Sequence, residues 1–279
     1  MNNGKIWMSV VGLLISTALV AQNADTIVTM RGKIVGHVKE ITPELVAYTN
    51  PNEAVIYKIE RGAVSKIVFA SGRVEKFADM KVLAKINGAF DWPQVDVATT
   101  EYETKGLYKI DLISTKATGT TVYSSVTKVQ DRAFSKLKMA AAIMGGNLVY
   151  IKSESLEGNI RSELGSRTSR AQLLGTAYCS ELLDENKFKA TLAEGNKYTL
   201  ISKLGLRNND ADIHTFETAN EDVDINSVQV EKGFIYLTLT IDGKKSKLQY
   251  RVVSFSDSRI MVAYREGTAY YNMVLSERM

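Results

Sequence analysis

Apolar and polar positions along the chain sort into short alternating runs separated by turn residues, with one clear helical stretch near the middle. In the first part the runs fall at 27–30, 33–41, 44–49, 54–59, 66–69 and 73–77, punctuated by Gly32, Thr42-Pro43, Asn50-Pro51 and Gly72. Alternation with period two marks strands with one face toward a core. Ile34, Gly36 and Val38 share one face, while Lys33, Val35, His37 and Lys39 share the other. Five or six strands in so short a span predict a small closed β-barrel over 26–77.

Periodicity is lost over 78–105, where Asn87-Gly88, Pro93 and a polar Thr99-Thr100-Glu101 stretch predict a connector, with Trp92 packing it onto a neighbour. An α/β unit is expected over 106–185, with strands at 107–114, 147–152 and 171–179. Its helix, over 131–144, carries Ala133, Phe134, Leu137, Ala140, Ala141 and Met144 on one face, with Asp131 as cap. Gly145 and Gly146 end the helix, one of them in the left-handed conformation, and a short helix is expected near 180–185. An antiparallel β domain over 186–279 ends in a meander at 234–241, 248–255, 260–264 and 270–275. Its turns fall at Asp242-Gly243, Ser256-Asp257 and Glu266-Gly267. The predicted fold class is therefore mainly β with a central α/β unit.

Two stretches resemble known families. Gly32-Lys33-Ile34-Val35-Gly36-His37-Val38, Ile41-Thr42-Pro43, and Tyr57-Lys58-Ile59 with Ile67-Val68-Phe69 resemble a segment of exported Bacteroidota proteins of unassigned activity. That resemblance implies an SH3-like or Sm-like small barrel. Ala140-Ala141-Ala142, Met144-Gly145-Gly146-Asn147, Val149 and Gly175-Thr176-Ala177 resemble envelope domains of the RcsF and YbjQ-like kind. The envelope-stress sensor of that group depends on several cysteines, whereas this stretch has Cys179 alone.

The N-terminus changes the picture. Lys5 precedes an apolar run over 6–20, shorter than the ~20 residues a bilayer-spanning helix needs. Small and polar residues over 21–25 follow, so residues 1–21 are expected to be a signal peptide cut after Ala21, with Ala24 as the fallback. Export would place the protein in the periplasm, at the outer membrane or outside the cell. A single cysteine excludes an internal disulfide, and in an oxidising compartment Cys179 is a candidate for pairing with another chain. The formal net charge of +4 carries no dense basic block, and nucleic acid is not expected as a partner.

Catalytic chemistry is sparse. His37 and His214 are the only histidines and both read as solvated positions. Ser135 and Lys138 form an S-x-x-K pair without its S-D-N and K-T-G companions. Asp210, Asp212, His214, Glu217, Glu221, Asp222 and Asp224 form an acidic stretch, but Ser227 stands where a calcium loop needs glycine and Gly233 where it needs glutamate. No metal site, cofactor or enzymatic activity is expected. Tyr236, Tyr250, Tyr264 and Tyr270 of the meander are the candidate ligand-binding residues: cross-strand tyrosines either stabilise a sheet or form an amphipathic platform. The expectation is an exported cell-envelope protein with a non-catalytic binding or scaffolding role. Its partner would be an envelope protein or a small apolar or sugar ligand, with peripheral outer-membrane association. The alternative is a lipocalin-like carrier of an apolar small molecule, using the C-terminal β domain.

Overall fold

The computed structural model describes residues 24–77, 82–162, 165–192 and 197–278. The expected signal peptide lies outside these residues. Its architecture is mainly β, with antiparallel sheets around one long helix.

The first unit comprises β1 (Asp25–Thr29), β2 (Gly32–Ile41), β3 (Leu45–Thr49), β4 (Ile56–Glu60), β5 (Val64–Val68) and β6 (Val74–Lys76). They pair antiparallel in the order β4-β3-β2-β1-β5-β6. Ile27, Val46, Val64 and Ile67 are buried together, and Ile59 of β4 and Phe77 beyond β6 pack on the same cluster. The sheet therefore curls around one core. Among the described residues β4 and β6 do not pair, so side-chain packing replaces the hydrogen-bonded closure expected of a closed barrel.

The second unit comprises β7 (Asp96–Ala98), β8 (Tyr108–Thr118), α1 (Val126–Ile143), β9 (Leu148–Glu157), the hairpin β10 (Ile160–Ser162) and β11 (Gly165–Arg167), and β12 (Arg170–Cys179). The sheet order is β7-β9-β12-β8. β7 pairs parallel with β9, so the expected connector contributes an edge strand. Trp92 in the same stretch packs against the core around α1. The helix starts earlier than its periodicity predicts, because the Ser125 side chain accepts from the Lys128 amide and Val129 is fully buried. It ends as expected: Gly145 has φ +68°, its amide donates to Ala142 O at 2.8 Å, and the Gly146 amide donates to Ala141 O at 2.7 Å.

The third unit opens with α2 (Glu185–Ala190) and continues through β13 (Lys197–Leu206), β14 (His214–Phe216), β15 (Asp222–Glu231), β16 (Phe234–Ile241), β17 (Lys244–Lys245), β18 (Tyr250–Ser256), β19 (Arg259–Glu266) and β20 (Ala269–Glu277). β20 returns to pair with β13, which closes β13-β15-β16-β18-β19-β20 into a six-stranded antiparallel barrel. Asp242 and Gly243 both have positive φ, the requirement of a tight hairpin turn between β16 and β17. Alternate residues Ile235, Leu237 and Leu239 point inward with Val252, Val262 and Leu275, and Phe188 of α2 joins that core.

Residues 139–143 of α1 are buried without a break, so the end of the helix is covered on all sides. Ile113, Val149 and Leu173 of the central sheet share one cluster with it, as do Leu206, Ala263 and Tyr270 of the barrel strands. The Ser114 amide donates to the Tyr270 hydroxyl at 3.0 Å, and Asn272 Nδ2 donates to Ile143 O at 3.3 Å. Lys136 Nζ donates to Lys116 O at 2.9 Å and Asn208 O at 2.6 Å. Side chains from both sides of the boundary expected at 185 thus share the cluster around α1, while the barrel keeps a core of its own.

Candidate functional site

The four tyrosines selected from sequence do not share an exposed surface. Tyr250 and Tyr264 lie in the barrel core, edge to face at 4.9 Å, and Tyr264 stacks on Tyr271 at 5.0 Å. Burial pushes both phenols up from their ordinary range, Tyr264 furthest. Tyr270 faces outward into the α1 interface, and Tyr236 is half-buried outside the barrel. Alternation brings Tyr250 and Tyr264 beside Leu237, Leu239 and Val252, in the pairing role rather than on a platform.

The other sequence candidates are dispersed. Lys138 Nζ donates to Pro93 O at 2.8 Å and lies over the Trp92 ring, which ties it to the 89–94 turn rather than to Ser135. His214 is exposed, with Asp210 Oδ1 3.7 Å from its Nε2. Asp222 pairs with Arg278 at 2.9 Å. Among the described residues no group of three acidic, histidine or cysteine side chains gathers in metal-binding proximity.

A cleft of about 700 Å³ lies where the second and third units meet, outside the barrel. The α1–β9 turn supplies Gly145 and Asn147, the end of β12 supplies Cys179, and the segment leading to α2 supplies Ser180, Leu182 and Leu183. Val253 and Phe255 of β18 and Met261 of β19 form the opposite wall. The barrel interior is occupied by its own side chains, and the cleft lies outside it.

Asn147 is 4% exposed, and its main chain knits the sheet: its amide donates to Tyr178 O at 2.9 Å, and its carbonyl accepts from the Asp96 amide at 3.0 Å. Its Nδ2 donates to Ala84 O at 3.1 Å and to Ser180 Oγ at 2.7 Å, which fixes the orientation of the amide. Oδ1 is buried without a partner. Behind the wall lies Arg251, 6% exposed, whose Nε and Nη2 are also buried without partners. Its guanidinium sits 5.1 Å from the Phe234 ring, and among the described residues no carboxylate lies within ion-pair distance of it. Burial pulls its pKa down, against the opposing fields of Cys179, Tyr236 and Asp111.

Arg251 stays behind this wall and lines no part of the cleft. A Cβ on Gly145 would lie 3.5 Å from Arg251 Nη2 and 2.6 Å from Val253 Cγ1, so glycine is needed there for space as well as for its left-handed φ. Cys179 on the same wall donates to Glu181 O at 3.2 Å. Burial raises its thiol pKa, the first cause, while the Arg251 charge works against that rise. The cleft wall thus holds a thiol kept neutral by burial, with a buried acceptor lacking a partner beside it and, one layer back, a buried guanidinium without a carboxylate partner among the described residues.

Asn147 and Arg251 are the residues sequence reasoning passed over. Arg251 does leave a trace, as the charged residue interrupting Tyr250 and Val252-Val253 in an otherwise apolar strand. Asn147 follows the helix-ending glycines and reads as an ordinary turn residue until its side-chain bonds are seen. Comparison with models of known protein families, with curated proteins and with solved structures finds no match for this chain.

Proposed function

We propose that the chain is an exported cell-envelope protein with a non-catalytic binding role, and that the cleft between the α1–β9 turn, the β12–α2 segment and strands β18 and β19 is its ligand seat. The observation that carries this reading is the cleft itself: about 700 Å³, with Leu182, Leu183, Val253, Phe255 and Met261 on its walls among polar and charged side chains, and with the unpartnered Asn147 Oδ1 buried beside it. Small-ligand sites combine that order of volume with a few fixed polar groups. What supports binding over catalysis is that burial keeps Cys179 in its neutral form, while His37 and His214 line no part of the cleft. The basic, apolar N-terminal segment supports export.

Native mass spectrometry of the protein purified gently from its own envelope fraction tests both parts. The expected result is a chain lacking its first residues and retaining a small molecule, which a cleft-filling Met261→Trp variant loses. A bare chain in both, or equal retention by both, refutes the cleft as the seat. A full-length chain in the cytosolic fraction refutes export.

A further inference from the structure

We propose that the outward face of the first unit's sheet is a docking surface for an anionic lipid bilayer, its lysines on the headgroups and its valines at the level of the interface. The face follows from register. Ile27 pairs with Ile34 of β2 and with Ile67 of β5, and all three point into the core, so the next residue along each strand points away from it. Those outward positions form two adjacent rungs across β2-β1-β5-β6. One rung is Lys33, Val28, Lys66 and Lys76, and the other is Val35, Thr26, Val68 and Val74. Four strands at the usual spacing make this face about 14 Å wide. Its two rungs hold three lysines and no carboxylate. Val35 and Val74 are 53% and 49% exposed, Lys33 and Lys76 are exposed, and Lys66 is half-buried.

Lys66 and Lys76 stand directly opposite each other in the ladder, a like-charge pair that weakens a sheet. Among the described residues no carboxylate lies within ion-pair distance of them or of Lys33. Asp25, the acid of β1, is committed to the backbone: its carboxylate accepts from the Val38 and Ala70 amides, each at 2.8 Å. A local rule broken without internal compensation marks a place that serves something other than stability, and a negatively charged surface supplies the compensation. The valine rung selects the kind of surface. Exposed valines beside lysines match a bilayer interface, where apolar side chains enter below the headgroups while lysine stems reach back up to them. Neither rung carries an aromatic ring, which a single-stranded nucleic acid would use for stacking. The surface is separate from the cleft, and the inference does not rest on the cleft being a ligand seat.

Co-sedimentation of the protein, purified from its envelope fraction, with vesicles of phosphatidylcholine alone or mixed with phosphatidylglycerol tests the surface. Binding is expected with the anionic vesicles only, and it should weaken as salt rises. A lysine at an anionic surface contributes about fivefold, so Lys33→Gln, Lys66→Gln and Lys76→Gln together are expected to lower binding about hundredfold. Lys244→Gln, Lys245→Gln and Lys247→Gln make the same change in charge at exposed positions of the third unit and are expected to leave binding unaltered. Lys76→Glu turns the repelling pair into an attractive one. It is expected to raise the urea unfolding midpoint while weakening binding, which separates loss of the surface from loss of the fold. Val35→Ser with Val74→Ser is expected to weaken binding several-fold and keep its salt dependence. Absence of binding to anionic vesicles at low salt, equal binding to both kinds of vesicle, or equal loss in the two lysine triples overturns the proposal. Retention on heparin through the same three lysines without vesicle binding overturns it in favour of a soluble polyanion. Met261→Trp is expected to bind vesicles as the unaltered protein does, so failure of this surface and failure of the cleft are distinguishable.

Discussion

Replacing Gly145 with alanine tests the geometry of the cleft wall directly. The backbone there has φ +68°, a conformation that costs an L-residue about 1–2 kcal/mol. The added methyl would also lie 2.6 Å from Val253 Cγ1, closer than side-chain carbons approach one another, and relieving such overpacking costs about 1–3 kcal/mol. Gly145→Ala is therefore expected to destabilise the chain by about 2–5 kcal/mol. Val253→Ala alone removes two methyl-sized groups from a half-buried position, a loss of about 1–2 kcal/mol. In the double variant the steric part vanishes and the conformational part remains. The pair should then be more stable than the sum of the single effects by about 1–3 kcal/mol. Equilibrium urea unfolding reads each value, followed through Trp92, which packs against the core around α1. Single effects that add to within about 0.5 kcal/mol would show that Val253 yields freely, and the account of the wall would fail.

Lys136 carries a prediction about pH. Burial, the largest cause, holds its pKa below the ordinary lysine value, with Asp210 opposing the shift and Arg132 adding to it. As pH climbs through the folded-state pKa toward the ordinary value, the folded chain releases this proton first. The unfolded state then binds more protons, and stability rises with pH across that window. Lys136→Met is expected to flatten this rise and to cost about 1–3 kcal/mol at neutral pH by leaving Lys116 O and Asn208 O without their donor. An unchanged slope in urea titrations at several alkaline pH values would refute the assignment. Cys179, buried and with a raised pKa, is expected to react with a disulfide reagent at pH 8 far more slowly in the folded protein than in urea. Equal rates would show that the thiol is open to solvent, and would favour pairing with another chain.

The strands of the first unit and the meander were legible because period-two alternation and turn residues are local signals: Ile34 and Val38 do face a core, and Asp242-Gly243 does turn. The start of α1 was not, since Val126, Thr127 and Val129 favour extended chain in isolation and are helical because Ser125 caps them and Val129 is buried. Closure of the barrel was also hidden. β13 meets β20 across most of the third unit, with Tyr198 opposite Glu277, and no local pattern specifies a partner at that separation. The cleft had the same obstacle: Asn147, Cys179 and Val253 come from three stretches that only the packing of α1 between sheet and barrel brings together.

That packing also orders events in time. The hydroxyl that meets Ser114 belongs to Tyr270, 156 residues further along, and the side chain that caps the Ile143 carbonyl belongs to Asn272. Neither the helix nor the barrel can complete its core until the last strand has left the ribosome, and contacts of such long reach form slowly. Until β20 arrives, the buried end of α1 lacks part of its apolar cover, a surface of the kind that a holding chaperone grips. The final nine-residue strand, β20, acts as the latch.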